Sequence, residues 1–175
     1  KYEKGKGKQL FINEVKKERM SDLLGVVPSV LFAPESLLSV KGSPGERRRI
    51  LDIVLCQMKK KYLLDLQKYT RIIKNKNVLL RELQAGGRQQ EQLEVWNESL
   101  ARAGANIICE RKIIVESLEK RMNRLLQGIS EGKEKISLKY KTIEEEDQPV
   151  YDTLISIIQK NTSREIDQGS CLIGP

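Results

Sequence analysis

The chain has 175 residues, 39% hydrophobic and 32% charged, and its 32 lysines and arginines outweigh 24 aspartates and glutamates to leave a formal charge of +8. That length suits one domain, or one domain plus part of another, and that charge favours an anionic partner, nucleic acid first. Histidine is absent, which excludes a Ser-His-Asp or Cys-His triad and an H-E-x-x-H zinc site within these residues.

Aromatics make up 5% of the chain, so the core is expected to be rich in Leu and Ile. Cys56, Cys109 and Cys171 are odd in number and widely spaced, with no C-x-x-C; this predicts reduced, buried thiols in a cytoplasmic protein. No apolar run reaches ~18 residues, so neither a membrane-spanning helix nor a membrane partner is expected. Residues 1–20 lack the apolar core of a signal peptide. A start at Lys1 and an end at Gly174-Pro175 predict a piece of a longer protein.

Residues 1–19 are lysine-rich. Lys4-Gly5-Lys6-Gly7-Lys8 reads as a turn and Gln9 to Asn13 as a short strand, so a hairpin arm or edge strand is expected. Lys4, Lys6 and Lys8 are secondary candidates for DNA contact, although edge lysines commonly guard against sheet-to-sheet aggregation. Met20 to Gly25 predicts a helical turn closed by Gly25. Val26 to Phe32 is apolar and β-branched and predicts a strand buried in a sheet, with Pro28 near its start. Pro34 ends it, and Glu35 to Val40 predicts a short helix or turn.

Ser43-Pro44-Gly45-Glu46 has the pattern of a helix start: a capping hydroxyl, a proline with no N–H to lose, and a carboxylate three residues on. Arg47, Arg48 and Arg49 follow in a first turn that is already electropositive, which suits an anion or DNA. Apolar residues then recur at Met58, Tyr62, Leu66, Tyr69, Ile73, Leu80 and Leu83, with Lys76 where the stripe wants an apolar side chain. Gly86-Gly87 allows a reversal. A second stripe runs through Leu93, Trp96, Leu100, Ala103, Ile107, Ile114, Leu118, Met122, Leu125 and Ile129, with Gly104 permitting a close approach. Two such helices should pack antiparallel. The longer arm leaves an overhang, which is expected to break or fold over.

Gly128 to Lys133 is the nearest approach to a Walker A loop, but it has one residue too few between its glycines and Glu134 where Ser or Thr should hold magnesium. It reads as a helix-to-strand turn. Lys135 to Tyr140 alternates with period two and predicts a half-buried strand. The acidic run Glu144 to Asp147 reads as a loop. Pro149 opens a helix with Tyr151, Leu154, Ile155 and Ile158 on its apolar face, Gly169 ends that region, and Ser170 to Ile173 predicts a further strand.

Phe32-Ala33-Pro34-Glu35, Val40-Lys41-Gly42-Ser43-Pro44, Arg47-Arg48-Arg49 and Leu51-Asp52 together resemble the RecF family, bacterial recombination-repair ATPases related to the SMC and ABC ATPases. The family pattern runs F-[SA]-P-E-[DS]-L, then K-G-[SG]-P, then R-R-R-F-L-D, with Ile50 here where Phe is frequent. Residues 164–175 resemble the family's R-E-[IL]-x-x-G-x-T-L-x-G-P, with Cys171 in place of Thr, and stop before its H-R-D-D. Weaker similarity at Tyr62-Leu63, Asp65-Leu66 and Gly128 to Glu134 extends the resemblance over nearly the whole chain.

The resemblance implies an inserted helical lobe of an ABC/SMC-type ATPase head. The expected class is α+β, predominantly α: an antiparallel long-helix hairpin (43–132) between a β-containing base segment (1–42) and a return strand, helix and strand (133–175). Walker A would precede this stretch, and the signature motif and Walker B would follow it. The chain itself is then expected to bind no cofactor and to lack enzyme activity, while the intact protein is a weak DNA-dependent ATPase using ATP and Mg2+. Its implied partners are duplex DNA at gaps and single–double-strand junctions, RecR with RecO, and a second copy in an ATP-dependent dimer. Residues 32–35 take the place of the Q-loop, making Glu35 the candidate cofactor contact, with helix capping as its plainer role. Lys41, Arg47, Arg48 and Arg49 are the leading DNA candidates. Consecutive helical residues fan over about 200°, so one arginine is expected to pair with Glu46 or Asp52. The alternative is a structural hairpin or coiled-coil module of another SMC-like ATPase, with no DNA contact of its own.

Overall fold

The computed structural model describes residues 2–3, 7–31, 33, 36, 38–143 and 148–175. The chain is predominantly helical and divides into two compact units, Lys1–Leu63 and Leu64–Pro175.

The first unit opens on two antiparallel hairpins. Tyr2–Glu3 (β1) pairs with Gly7–Lys8 (β2), and Leu10–Ile12 (β3) pairs with Val15–Lys17 (β4). Asn13 and Glu14 join β3 to β4, both at positive φ (48° and 66°), the turn geometry that matches the twist of paired strands. Met20–Leu23 is a single 3-10 turn. Gly25 follows at φ 82°, and a Cβ there would lie 3.0 Å from the Gln57 carbonyl oxygen. Both the dihedral and the close approach require glycine.

Val26 to Leu31 does not form the expected buried strand. Among the described residues it has no ladder partner, and Val30 is 99% exposed. β-branched composition favours extended backbone, but a strand also needs a neighbour for its N–H and C=O groups. Here the Ser29 N–H donates to the Gln57 side chain at 3.1 Å instead.

Leu38–Lys41 (α1) and Pro44–Met58 (α2) follow. The capping box of α2 forms as its sequence predicts. The Glu46 N–H donates to Ser43 Oγ at 3.3 Å, and the Ser43 N–H donates to the Glu46 carboxylate at 2.7 Å. Leu55, Cys56 and Tyr62 are buried, and the Tyr62 hydroxyl donates to the Asp52 carboxylate. The stripe is not continuous from Ser43. Lys59 is extended (φ −135°, ψ 105°) and breaks the helix, with the exposed Met58 beside it outside the stripe. Neither Gly nor Pro marks this break.

Lys60–Gln84 (α3) carries the unit boundary, and Glu91–Ile129 (α4) runs back along it. Leu79, Leu80 and Leu83 of α3 pack with Leu93 of α4, and Trp96, Ile166 and Cys171 lie against them. The reversal begins with a Schellman motif. The Gly87 N–H reaches the Glu82 carbonyl at 2.9 Å and the Gly86 N–H reaches the Leu83 carbonyl at 3.0 Å, with Gly86 at φ 93°. Farther along, a Cβ on Gly104 would lie 2.7 Å from Leu154 and 3.7 Å from Tyr69. The small residues Ala101, Ala103, Gly104 and Ala105 thus let Val150–Lys160 (α5) pack closely on α4. Thr162–Gln168 (α6) ends at Gly169 in the left-handed conformation.

The overhang of α4 does not break. Its burial fades after Leu118, leaving Leu125 69% and Ile129 82% exposed on a continuous helix. Residues 135–140 run back beside it with the expected alternation: Ile136, Leu138 and Tyr140 are half-buried and the residues between are exposed. No strand pairs with them among the described residues. The partners are helix side chains. Asn123 takes the Ile136 N–H at 2.8 Å and donates to the Ile136 carbonyl at 2.7 Å, and Glu119 accepts the Leu138 N–H at 2.8 Å. A side-chain amide offers the same donor and acceptor as a peptide group, so Asn123 substitutes for a neighbouring strand. Residues 170–173 likewise form no strand; side chains of Asn77 and Glu165 accept the N–H groups of Cys171 and Leu172. The three cysteines are free, but Cys109 is exposed, contrary to the expectation of burial. No described helix is long and apolar enough to cross a membrane.

Candidate nucleic-acid interface

The capped start of α2 concentrates positive charge. A helix N-terminus carries about half a unit of positive charge, and Lys41, just before Ser43, and Arg47 to Arg49, within the first two turns after it, add theirs. Arg47 does not point freely outward: its guanidinium donates to the Gly42 carbonyl at 3.0 Å and to the Val40 carbonyl at 3.5 Å. Those are groups that the end of α1 leaves open, so Arg47 ties the loop between α1 and α2. Lys41 and Arg49 are exposed and Arg48 is half-buried. Glu46 is engaged in the capping box and Asp52 by Tyr62. Glu35, Lys4 and Lys6, together with the acidic run 144–147, lie outside the described residues. Lys8 is described only by its backbone in β2.

A phosphate cradle needs several free backbone N–H groups, and the Walker-A-like stretch uses its own elsewhere. Gly132 donates to the Gln127 carbonyl at 3.1 Å, Lys133 to the Ser130 carbonyl at 3.0 Å, and Glu134 to Ser130 Oγ at 3.3 Å. These donors complete the end of α4. The turn does not fit a nucleotide phosphate.

In the second unit the anomalous Lys76 is fully buried, and Glu165, also fully buried, lies 2.6 Å from its ammonium group. The other carboxylate oxygen of Glu165 accepts the Leu172 N–H at 2.9 Å. One side chain thereby neutralises a buried cation and shapes the closing segment. Burial pushes the neighbouring Cys171 thiol up to about 11; Lys76 acts against this rise and Glu165 with it. Burial raises the Tyr69 phenol as well, with Cys171 a lesser contributor. The Cys56 thiol is raised by burial and then by Asp52. The sequence marked Lys76 as out of place but gave no partner for it.

Comparison with known proteins bears on the whole chain. No family model matches it. The chain is 38% identical to the DNA replication and repair protein RecF of Staphylococcus haemolyticus over 97% of its own length and 48% of the relative. It is 36% identical to RecF of Pediococcus pentosaceus over 97% of its length and 47% of that protein. A solved structure of the recombination mediator protein RecF with ATP superposes with a TM-score of 0.84 at 29% identity, covering 99% of this chain and 48% of that one. The chain belongs to the RecF family. It spans about half the length of the curated relatives it matches. Within that half, residues 43–49 build the capped cationic start of α2, and residues 165–172 are organised by Glu165 against Lys76.

Proposed function

We propose that this chain is the inserted helical lobe of a RecF-type recombination and repair ATPase and supplies part of its surface for the DNA backbone. The observation that carries this reading is the start of α2, where Lys41 at the end of α1 and Arg48 and Arg49 in the second turn of α2 add charge near a helix N-terminus while Arg47 fixes the loop. These residues contact phosphates and therefore bind duplex DNA without sequence preference. The solved relative described as RecF with ATP supports nucleotide as the switch. In this reading ATP with Mg2+ is held by other parts of the whole protein and closes a dimer on DNA at gaps and single–double-strand junctions. Contacts made only in the closed state supply the coupling energy. RecR, with RecO, joins there, in the cytoplasm. The chain provides a base segment, 1–42, a hairpin arm, 43–132, and a return, 133–175, and it binds no nucleotide by itself. By sequence, Glu35 is its candidate for the nucleotide-linked loop, and Lys4, Lys6 and Lys8 are secondary candidates for DNA contact.

The test is fluorescence anisotropy of the whole RecF-type protein with a labelled duplex across a salt series. Arg48→Ala and Arg49→Ala should weaken binding and flatten the log–log salt dependence by about 0.9 for each lost phosphate contact. Unchanged affinity and slope in both variants would overturn the assignment. A purely structural hairpin module is favoured by one observation, the use of Arg47 on loop carbonyls, and that outcome would select it.

A further inference from the structure

We infer that residues 135–141, clamped along the C-terminal part of α4, present a cation ladder that binds a nucleic-acid phosphate backbone. The inference rests on the proposed function only in its choice of DNA as the polyanion. Its residues lie in the second unit and share none with the start of α2.

The alternation sets the ladder. Ile136, Leu138 and Tyr140 turn inward, and Lys135, Ser137, Lys139 and Lys141 are exposed. Extended backbone rises about 3.3 Å per residue, so successive outward positions are roughly 6.6 Å apart. Ser137 takes one outward position, so Lys135, Lys139 and Lys141 stand roughly 13 and 6.6 Å apart at that rise, and an extended row of cations suits a strand of phosphates better than a single small anion. The segment is also held. Asn123 makes two hydrogen bonds to Ile136, Glu119 takes the Leu138 N–H, and Arg111 donates to the Tyr140 hydroxyl at 3.1 Å. A fixed backbone lowers the entropy lost when its side chains engage a ligand.

The helix extends the surface. Lys120 and Arg124 each follow a clamping residue by one position, about 100° round α4 from Glu119 and Asn123. Both are exposed on the helix that carries the clamp. Lys133 is not counted, because it pairs with Glu131 at 2.9 Å. Glu134 is the one carboxylate against three lysines in residues 134–141, so that stretch is net positive, and the acidic run 144–147 follows it in sequence. The aromatic ring in the row, Tyr140, faces Arg111 and offers no stacking platform. The surface therefore reads backbone charge and not bases. Ordinary solvation accounts for exposed lysines, but not for a two-bond side-chain clamp that fixes their spacing.

The experiment compares variants of the whole protein in anisotropy titrations with a labelled duplex and a labelled single strand over a salt series. Lys135→Gln/Lys139→Gln/Lys141→Gln removes the ladder's charge from exposed positions. Lys68→Gln/Arg71→Gln/Lys74→Gln removes as much charge from exposed positions on α3. Asn123→Ala removes the clamp and no charge. The ladder variant should flatten the salt slope by about 0.9 per lost contact on duplex, or about 0.7 if the occupant is a single strand, and the α3 variant should change it less. Asn123→Ala should weaken binding at constant net charge while circular dichroism still reports the helices. Equal effects of the ladder and α3 variants would overturn the inference, since net charge alone would then explain binding. Should Asn123→Ala lose the fold, the two charge-removal sets still decide. Loss of the effect in Arg48→Ala and Arg49→Ala with retention in the ladder variant would remove the α2 surface and leave this one standing.

Discussion

Lys76 sits in the apolar stripe of α3, where a lone ammonium group would cost several kcal/mol to desolvate. Glu165 makes the position tolerable by pairing with it and accepting the Leu172 N–H at the same time. Breaking such a pair from one side leaves a buried charge, so Lys76→Met should destabilise by about 3–5 kcal/mol in urea unfolding. Lys76→Met/Glu165→Gln keeps an acceptor for Leu172 and removes the stranded charge, so it should recover a substantial part of that loss. A single variant as stable as the parent would show that Glu165 finds another partner or a proton at little cost. Cys171 extends the argument to pH. Its folded pKa of about 11 lies above its ordinary 9.0, so below pH 9 both states carry the proton and the thiol contributes no pH dependence. Between 9 and about 11 the unfolded chain releases the proton first, and stability falls as pH rises. The raised phenol of Tyr69 acts in the same sense from its ordinary 10.0 upward. The urea midpoint should therefore decline across that window, and Cys171→Ala should make the decline shallower without abolishing it.

Packing between elements turns on Gly104. In a helix interior, Gly is about 1 kcal/mol worse than Ala, so propensity alone forecasts that Gly104→Ala stabilises α4. The added Cβ would meet Leu154 at 2.7 Å, however, and Leu154 is itself only 1% exposed. Overpacking a filled site costs about 1–3 kcal/mol. The expected net change is a loss of roughly 0–2 kcal/mol in urea unfolding, and a gain near 1 kcal/mol would mean that α5 yields freely. The same element scale separates what the sequence disclosed from what it could not. The Ser43 box and the Gly86-Gly87 reversal are local patterns, and they form; the stripes form in part, with Met58, Met122, Leu125 and Ile129 left exposed. The break at Lys59 carries no local signal, because an extended residue of any ordinary type can end a helix when its surroundings satisfy the chain. Lys135 to Tyr140 shows the period of a strand correctly. Its partner, a helix side chain at Asn123, cannot be read from alternation, which reports which face is buried and not what binds the backbone. In the candidate interface the cationic helix start was legible. The diversion of Arg47 onto Gly42 was not, nor was the partner of Lys76, 89 residues away.

At the scale of the molecule, burial is uneven. Among the described residues, Leu55, Cys56 and Tyr62 are the buried apolar side chains of the first unit, while the second holds a continuous set from Tyr69 through α4 to Ile158. Local opening free energy follows buried contacts and protected hydrogen bonds, so it should not be uniform. Amides of α4 between Leu100 and Ile114 should exchange with deuterium most slowly. Those of Val27, Val30 and Leu31, without a ladder and with Val30 99% exposed, should exchange fastest. The return segment tests the physics most sharply, because its N–H groups at Ile136 and Leu138 are protected by side chains and not by a strand. Those two amides should be slower than their neighbours Ser137 and Lys139, giving alternating protection of the kind an edge strand shows. Asn123→Ala should erase protection at Ile136 while leaving Leu138, which depends on Glu119, the less affected. Uniform fast exchange from Lys135 to Tyr140 would mean that the clamp does not persist in solution, and the ordered cation row built on it would fall with it.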